Sequence, residues 1–313
     1  MKFLCTEDYY PPHVVVGICG LKQGGKTLFA LEQGYAIVKE VGGSILYLNT
    51  EEPTSFFIDT WKEAMEKKYG VKPEIVYKYC QPPEIGKEVD IMKLVGFGGI
   101  LRNSNVEKAQ PKKAQTQKKE EAKEGEQKEE EKQDPTKEKA VRLDFNATSI
   151  NPTDSELAKL IKEKNIGYIV VDSVTAAFDP IATAGRQNFP TRANMEELFL
   201  SYLPLITFKS GKPIYIMTIH HLSYNPTDPF AEKMQEKLFV QKGGKEIGHF
   251  TKVLYGLDKY LRPHGARDLL LIRYPNQSEF SRTYTLLISE SGFSKVDPKD
   301  LEKIKAEQKA AKA

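Results

Sequence analysis

Short apolar runs alternate with stretches of helical periodicity in the first hundred residues of the chain. Residues 14–18 and 44–48 are runs of aliphatic side chains that end at glycine or at a polar turn, and they predict two buried strands. Residues 27–40 carry apolar side chains at the spacing of an amphipathic helix, and residues 53–68 begin at a proline and end before a glycine, as helices do. This alternation of strand and helix predicts a parallel sheet that is covered by helices.

The second half of the chain continues the alternation and then changes to strands alone. The pattern predicts helices over residues 154–164 and 190–209, the first capped by Asp154 or Ser155, and strands over residues 168–172 and 213–218. Three β segments joined by turns follow at residues 253–261, 268–273 and 284–289, and we expect them to add hairpins to the sheet edge. The predicted fold class is therefore α/β, with a mostly parallel central sheet flanked by helices and with antiparallel C-terminal strands.

A charged segment divides this core in two. Residues 107–140 contain ten basic and ten acidic residues and no aromatic residue, so the segment cannot bury a hydrophobic core of its own. We interpret residues 104–140 as a disordered insertion, which is either simply solvated or an arm that binds a partner. The first part of the core is then residues 1–103, the second part is residues 141–296, and residues 297–313 form a charged tail.

The composition limits the class of protein. The 313 residues carry a net charge of +3, so nucleic-acid binding would depend on local patches of charge and not on the chain as a whole. The three cysteines, Cys5, Cys19 and Cys80, form no CxxC pair, which argues for a reducing compartment and against a zinc site. No apolar run is long enough for a signal peptide or a bilayer span, and we expect a cytoplasmic protein without a membrane partner.

A phosphate-binding motif lies between the first predicted strand and the first predicted helix. Residues 20–27 read GLKQGGKT and match the pattern GxxxxGK[ST] at every fixed position. Glycines let backbone N–H groups approach a phosphate closely, and the N-terminus of the helix adds its positive end. We expect Lys26 to neutralise the β- and γ-phosphates of ATP and the Thr27 hydroxyl to bind Mg²⁺. The predicted nucleotide contacts are Gly20, Gly24, Gly25, Lys26, Thr27 and Leu28.

Two strand ends supply carboxylates next to this motif. Asp172 ends the predicted strand over residues 168–172, and we expect it to hold the Mg²⁺ directly or through water. Glu51 and Glu52 follow the strand over residues 44–48, at the edge where ligands bind in open α/β folds. We predict that Glu51, with Glu52 as the alternative, is the general base that orients the attacking water. The simpler interpretation is that both glutamates cap the following helix.

The order and spacing of these motifs resemble those of the RecA/RadA superfamily of P-loop ATPases. The P-loop is followed by a strand ending in LNTE at residues 48–51 and by a distant strand ending in VDS at residues 171–173. The stretches GRQNFPTRA at residues 185–193, IMTIH at residues 216–220 and GGKEIGH at residues 243–249 are also similar to superfamily segments. The likeness covers most of the chain outside the charged insertion. It is strongest to archaeal RadA paralogues of the RadB type, and next to ATPases of the KaiC type.

The resemblance implies a RecA-like P-loop core and further site residues. The superfamily strand that resembles residues 216–220 ends at a polar side chain that senses the γ-phosphate, which implies this role for His220, with His221 as the alternative. The simpler interpretation is a histidine pair that is only buried or solvated. Superfamily members bind single-stranded DNA through two loops, and the basic residues at the corresponding places are Arg186, Arg192, Lys242 and Lys245. Acidic neighbours dilute this charge, so ordinary solvated loops are the alternative. The resemblance also implies a nucleoid-associated protein with a RadA-type recombinase partner or a homo-oligomeric state.

The chain departs from the superfamily pattern in ways that argue against a RadA-type filament. We expect it to lack the N-terminal helical DNA-binding domain of the full recombinases and a separate polymerisation segment ahead of the core. Residues 273–279 resemble the segment that caps a neighbour's ATP in filaments, but Arg273 and Ser278 replace an acidic residue and a proline there. Arg273 is a candidate for a cation that acts on the nucleotide of a neighbouring subunit.

Three functions agree with the sequence. The first is an ATPase that binds Mg-ATP and single-stranded DNA and acts as an accessory factor in homologous recombination or DNA repair, with slow hydrolysis until DNA or a partner stimulates it. The second is a KaiC-like regulatory ATPase that does not act on DNA. The third is an adaptor that binds nucleotide without hydrolysing it.

Overall fold

The computed structural model describes residues 1–20, 23–51, 55–104, 140–145, 151–183, 188–221, 250–258, 265–275, 277, 282–297 and 299–304. Its strands in chain order are β1 (Val15–Gly20), β2 (Ser44–Asn49), β3 (Ile75–Tyr79), β4 (Gly99–Ser104), β5 (Ala140–Phe145), β6 (Ile166–Asp172), β7 (Tyr215–His221), β8 (Val253–Asp258), β9 (Ala266–Arg273), β10 (Arg282–Ser289) and β11 (Gly292–Lys295). Nine of them form one sheet in the order β11-β10-β9-β8-β1-β7-β6-β2-β3, and β4 pairs with β5 in a separate hairpin.

Most of this sheet is parallel. The neighbours β8, β1, β7, β6, β2 and β3 all run in the same direction, and β9, β10 and β11 continue the sheet as antiparallel strands. The predicted α/β class, the mostly parallel sheet and the antiparallel C-terminal strands are thus confirmed. The central strands are buried along nearly their whole length, as expected for a parallel sheet with both faces covered.

The position of β8 differs from the prediction. We expected residues 253–261 to belong to hairpins at the sheet edge, but β8 lies inside the sheet, parallel to β1 and antiparallel to β9. Every residue of β8 is buried, which suits a strand with neighbours on both sides and helices or loops over both faces. The turn signals around β8 predicted a strand correctly, but they do not specify which strand it pairs with.

Helices cover both faces of the sheet. α1 (Lys26–Val41) and α2 (Ser55–Tyr69) pack on one face through residues such as Phe29, Tyr35 and Met65. The opposite face is covered by α3 (Asp90–Leu94), α4 (Glu156–Glu163), α5 (Val174–Thr183) and α6 (Phe189–Lys209). Among the described helices, none has the length and apolar character required to cross a bilayer.

The ends of the helices follow from local chemistry. Ser155, and not Asp154, caps α4, because its Oγ accepts a hydrogen bond from the backbone N–H of Ala158 at 3.2 Å. The residues preceding this cap form a 3₁₀ turn, Pro152–Asp154. Pro190 lies in the first turn of α6, where its missing N–H would have no intrahelical partner.

The charged segment is attached to the core through a hairpin. β4 and β5 are antiparallel and place Ser104 opposite Ala140, so the two ends of the predicted insertion meet at one place. Residues 105–139 themselves lie outside the described residues. The sequence did not predict this pairing, because the two strands are separated by a segment with no hydrophobic pattern.

Candidate functional site

The carboxyl ends of four parallel strands meet at one edge of the sheet. The pairing of β1 with β7 places Gly20 beside His221, and the pairing of β2 with β6 places Asn49 beside Asp172. In open α/β sheets this edge is where ligands bind. The predicted phosphate loop, the predicted metal carboxylate and the predicted base all lie here.

Two glycines of the phosphate motif are required by the backbone. A Cβ atom on Gly20, the last residue of β1, would lie 2.5 Å from the carbonyl oxygen of Leu257 in the neighbouring strand β8. Gly25 has a φ of +96°, a left-handed conformation that residues with a side chain rarely adopt. The loop therefore takes a shape that glycine alone allows at these two positions, and Leu21 and Lys22 between them lie outside the described residues.

The loop leads directly into the N-terminus of α1. No side chain caps this helix end, and its first turn contains no acidic residue. The first N–H groups of a helix have no intrahelical partners and carry a partial positive charge. Lys26, the first residue of α1, is only 7% exposed. The cationic side chain and the helix end together make this position electrostatically suited to an anion. Leu28, two residues further along α1, packs against the hydrophobic core.

Arg267, at the start of β9, contacts the predicted phosphate loop. Its Nε donates a hydrogen bond to the carbonyl oxygen of Gly24 at 3.0 Å, and its Nη1 donates to the carbonyl oxygen of Ala266 at 2.7 Å. Burial lowers the pKa of Arg267, and the nearby Asp258 opposes this effect. Sequence reasoning missed Arg267 because it lies 243 residues from Gly24, at the start of β9, and no motif surrounds it.

Asp172 is the acceptor at the centre of the site. Its Oδ2 accepts a hydrogen bond from the Thr27 hydroxyl at 2.6 Å and another from the Tyr47 phenol at 2.7 Å. The carboxyl group is 6% exposed; burial raises its pKa, and the two hydroxyl donors oppose this increase. The structure thus brings together the two predicted metal ligands, Thr27 and Asp172, and adds Tyr47, which sequence reasoning missed.

The chemistry of these groups fits Mg²⁺. A hydroxyl has one hydrogen and two lone pairs, so Thr27 can donate to Asp172 and still offer its oxygen to a cation. Hydroxyl and carboxylate oxygens are the hard ligands that Mg²⁺ prefers. No group of three or more His, Cys, Asp or Glu suited to a metal occurs among the described residues. Mg²⁺ would therefore take its other ligands from water and phosphate, as it commonly does in nucleotide sites.

Glu51 is held beside this group by two further side chains. Its Oε1 accepts a hydrogen bond from the Ser173 hydroxyl at 3.0 Å and lies 2.8 Å from Nε2 of His221. The hydrogen bond from His221 is the main influence that lowers the pKa of Glu51, and burial acts in the opposite direction. The side chain remains 39% exposed, so it is charged, oriented and accessible to water.

Thr50 ties together the two strand ends that carry the carboxylates. Its N–H donates to the carbonyl oxygen of Asp172 at 2.9 Å, and its hydroxyl donates to the carbonyl oxygen of Ser173 at 2.7 Å. The N–H of Ser173 in turn donates to the Thr50 hydroxyl oxygen at 3.0 Å. These bonds set the spacing between Glu51 and Asp172.

His220 is not placed with the other predicted residues. It is fully buried, its Nε2 lies 2.8 Å from the Thr218 hydroxyl oxygen, and burial lowers its pKa to about 3. Successive side chains of a strand point to opposite faces, so His221, and not His220, faces Glu51. A phosphate contact by His220 stays a prediction, and of the two histidines it is the stated alternative, His221, that contacts Glu51.

Arg192 also differs from its predicted role. Its side chain is almost fully buried at the N-terminal part of α6, where it forms ion pairs with Glu196 at 2.7 Å and Asp179 at 3.2 Å. A guanidinium held in this way is not presented to a DNA phosphate. The other predicted DNA contacts, Arg186, Lys242 and Lys245, and the alternative base Glu52 lie outside the described residues.

A cavity of about 400 Å³ lies elsewhere, between α4 and the end of α6. Its lining includes the apolar residues Ile161 and Ile206 and the cations Lys162, Lys209 and Lys212. These residues precede the starts of β6 and β7, whereas Asp172 and His221 lie at the opposite ends of the same strands. The cavity therefore contains none of the site residues described above.

Comparison of the sequence with protein-family models and with curated proteins found no match. The functional interpretation of this chain consequently depends on the geometry of the site and on the motif that forms it.

Proposed function

We propose that the protein is a RecA-like P-loop ATPase that binds Mg-ATP at the carboxyl edge of its parallel sheet and acts as an accessory factor in recombination or DNA repair. The observation that carries this proposal is the 2.6 Å hydrogen bond between Thr27 and Asp172. It joins the loop motif to a strand end 145 residues away, in the arrangement that a metal-assisted phosphate site requires. A glycine turn that matches the motif by chance would have no reason to place a strand-end carboxylate next to its Thr hydroxyl.

The phosphate loop binds and orients the nucleotide. Lys26 neutralises the terminal phosphates, and the uncapped N–H groups of α1 donate to their oxygens. Thr27 and Asp172 would hold Mg²⁺, which would offset charge on the phosphate oxygens. Arg267 donates a hydrogen bond to the Gly24 carbonyl oxygen, so that this acceptor is engaged and does not face the anion.

Glu51 orients the attacking water. Its carboxylate is held by Ser173 and His221 and is exposed enough for a water molecule to reach it. Its pKa is lowered, chiefly by the hydrogen bond from His221, so Glu51 is a weak base that acts mainly by aligning the water.

The DNA part of the proposal depends on the resemblance to the RecA/RadA superfamily. One observation favours the regulatory ATPase of the KaiC type instead: Arg192, one of four cations expected to contact DNA, is engaged in internal ion pairs. Fluorescence anisotropy with single-stranded DNA, at low and moderate salt and with and without ATP, separates the two. Salt-sensitive binding supports the recombination factor, and no binding at any salt supports the regulatory ATPase. Phosphate release in the presence of DNA tests the non-hydrolysing adaptor.

Lys26→Ala tests nucleotide binding itself. We expect the affinity for Mg-ATP, measured by calorimetry, to fall about tenfold or more, because a hydrogen bond to a charged group contributes about 1.5–3 kcal/mol. ATP turnover should be lost. Lys39→Ala, a change of the same type in the last turn of the same helix, is the control and should leave both quantities unchanged. Unaltered affinity and turnover in Lys26→Ala would exclude this loop as the nucleotide site.

A further inference from the structure

Tyr47 donates to the same oxygen of Asp172 as Thr27 does, although no motif includes it. We propose that Tyr47 is a positioning residue for the Mg²⁺ site, which holds the Asp172 carboxylate in the orientation that lets Thr27 bind the cation. This inference rests on the proposed function, since it concerns the metal that accompanies the nucleotide. It assigns a role to a buried phenol that otherwise would be an ordinary core side chain.

The reach of Tyr47 follows from the register of the sheet. Tyr47 in β2 lies directly beside Val170 in β6, so Asp172 is its diagonal neighbour two residues further along the same face. Parallel strands lie about 4.8 Å apart and rise about 3.3 Å per residue, so these diagonal neighbours are about 8 Å apart, a distance that a long aromatic side chain spans. The phenol therefore reaches Asp172 from within the sheet, whereas Thr27 reaches it from the first turn of α1.

Tyr47 is rigid enough to serve as a reference point. Its side chain is 1% exposed, and its ring packs edge-on against the ring of Tyr77 in β3, with the centroids 5.7 Å apart. The terminal torsion of an aspartate, in contrast, has broad minima, so its carboxylate turns easily when only one donor holds it. Donors from two different elements, the sheet and α1, fix both the position and the plane of this carboxylate.

The orientation of Asp172 determines what Thr27 can offer. While the Thr27 hydrogen points at Oδ2, the lone pairs of its oxygen are directed elsewhere and are available to a cation. If the carboxylate turns, the hydroxyl is free to rotate and its lone pairs lose this direction. Residues that orient the ligands of a metal in this way typically change metal affinity by about 10- to 100-fold when they are removed.

Tyr168 provides a matched control for a purely structural role. Its phenol is also fully buried on the same face of the sheet, and it donates to the carbonyl oxygen of Ala30 in α1 at 2.9 Å. Tyr47→Phe and Tyr168→Phe each remove one oxygen atom and the hydrogen bond that the phenol donates to its acceptor. Only the first change affects a group that faces the metal.

The experiment measures nucleotide affinity with and without metal. Calorimetry with a non-hydrolysable ATP analogue, in excess Mg²⁺ and in EDTA, gives the gain in affinity that the metal provides. Electron paramagnetic resonance with Mn²⁺ gives the metal affinity of the nucleotide complex directly. We expect Tyr47→Phe to lower the Mn²⁺ affinity at least tenfold and to leave the affinity in EDTA unchanged, and we expect Tyr168→Phe to leave both unchanged.

Three other outcomes would overturn the inference, and they distinguish its failure from failure of the proposed function. If the wild-type chain binds no nucleotide, the proposed function fails and the inference fails with it. If the wild type shows a metal-dependent gain and Tyr47→Phe shows the same gain, the inference alone is wrong. An equal loss in Tyr47→Phe and Tyr168→Phe would show that the phenols act only through the stability of the sheet.

A second measurement covers the case in which Tyr47→Phe does not fold. 3-Fluorotyrosine placed at position 47 or 168 keeps the phenol, and its ¹⁹F resonance reports the surroundings of the ring. Adding Mg²⁺ to the nucleotide complex should shift the resonance at position 47 and not that at position 168. If the ¹⁹F chemical shift at position 47 does not change when Mg²⁺ is added, the proposal is wrong.

Discussion

Replacing Arg267 tests whether the phosphate loop is held in shape from outside the motif. Arg267→Met keeps most of the aliphatic side chain and removes the guanidinium that donates to the Gly24 carbonyl oxygen at 3.0 Å. A hydrogen bond from a charged donor contributes about 1.5–3 kcal/mol, and Arg267 is only half-buried, so we take the lower end of this range. The lost bond leaves a buried carbonyl without this donor, next to Gly25 with its left-handed backbone.

The expected effect on binding follows from the population of the competent loop. If the loop must keep its present shape to receive phosphates, a loss of about 1.5 kcal/mol reduces the competent fraction, and therefore the apparent affinity, by up to about tenfold. The full factor applies when competing loop shapes are already well populated, and a loop that strongly prefers its present shape loses less. Calorimetric titration with Mg-ADP measures this change. Arg282→Met is the control, because the Arg282 guanidinium forms its ion pair with Asp8 and not with a described residue of the loop.

Two results would refute this reasoning. Wild-type affinity in Arg267→Met would mean that the loop keeps its shape without the arginine. An equal loss of affinity in Arg282→Met would mean that the effect comes from general destabilisation, which urea denaturation of both variants would reveal as equal decreases in the free energy of unfolding.

Two further changes test the neighbouring interactions. His221→Ala removes the main influence that lowers the Glu51 pKa and leaves the burial that raises it. The acidic limb of the pH–rate profile of hydrolysis should therefore move to higher pH. A limb that does not move would contradict the pairing of His221 with Glu51. In the wild type, the stability linked to Glu51 is present above the ordinary carboxyl pKa and is lost as the pH falls below it, through the lowered pKa of the folded state. Glu32→Ala removes the fully buried carboxylate that accepts from Lys68 at 2.6 Å and from the N–H of Phe293 at 2.8 Å, and we expect the free energy of unfolding in urea to fall by about 3 kcal/mol; a loss below about 1 kcal/mol would refute this estimate.

The local features of the site could be predicted because they depend on local chemistry. The aliphatic runs predicted β1, β2 and β6, since side chains of this kind fit a sheet that is buried on both faces. The motif at residues 20–27 predicted the turn into α1, since Gly25 adopts a backbone conformation that other residues avoid. Glu51 and Asp172 were found because carboxylates follow directly on these strands.

The sequence could not predict which face of the sheet a side chain points to when the whole strand is buried. In β7 every residue from Tyr215 to His220 is buried, so the sequence has no alternation of polar and apolar positions to show which histidine faces the site. Only the pairing of β7 with β1 and β6 decided that His221 meets Glu51. The burial of Arg192 has a similar cause, because its partners come from two different helices.

The sequence by itself determined the phosphate motif, the strand ends that carry carboxylates and the α/β class, because each depends on residues close together in the chain. The tertiary structure alone decided that β8 lies beside β1, that Arg267 holds the loop and that Tyr47 holds Asp172. These contacts join residues more than a hundred positions apart, and they arise from the register and order of strands, which hydrophobic periodicity does not encode.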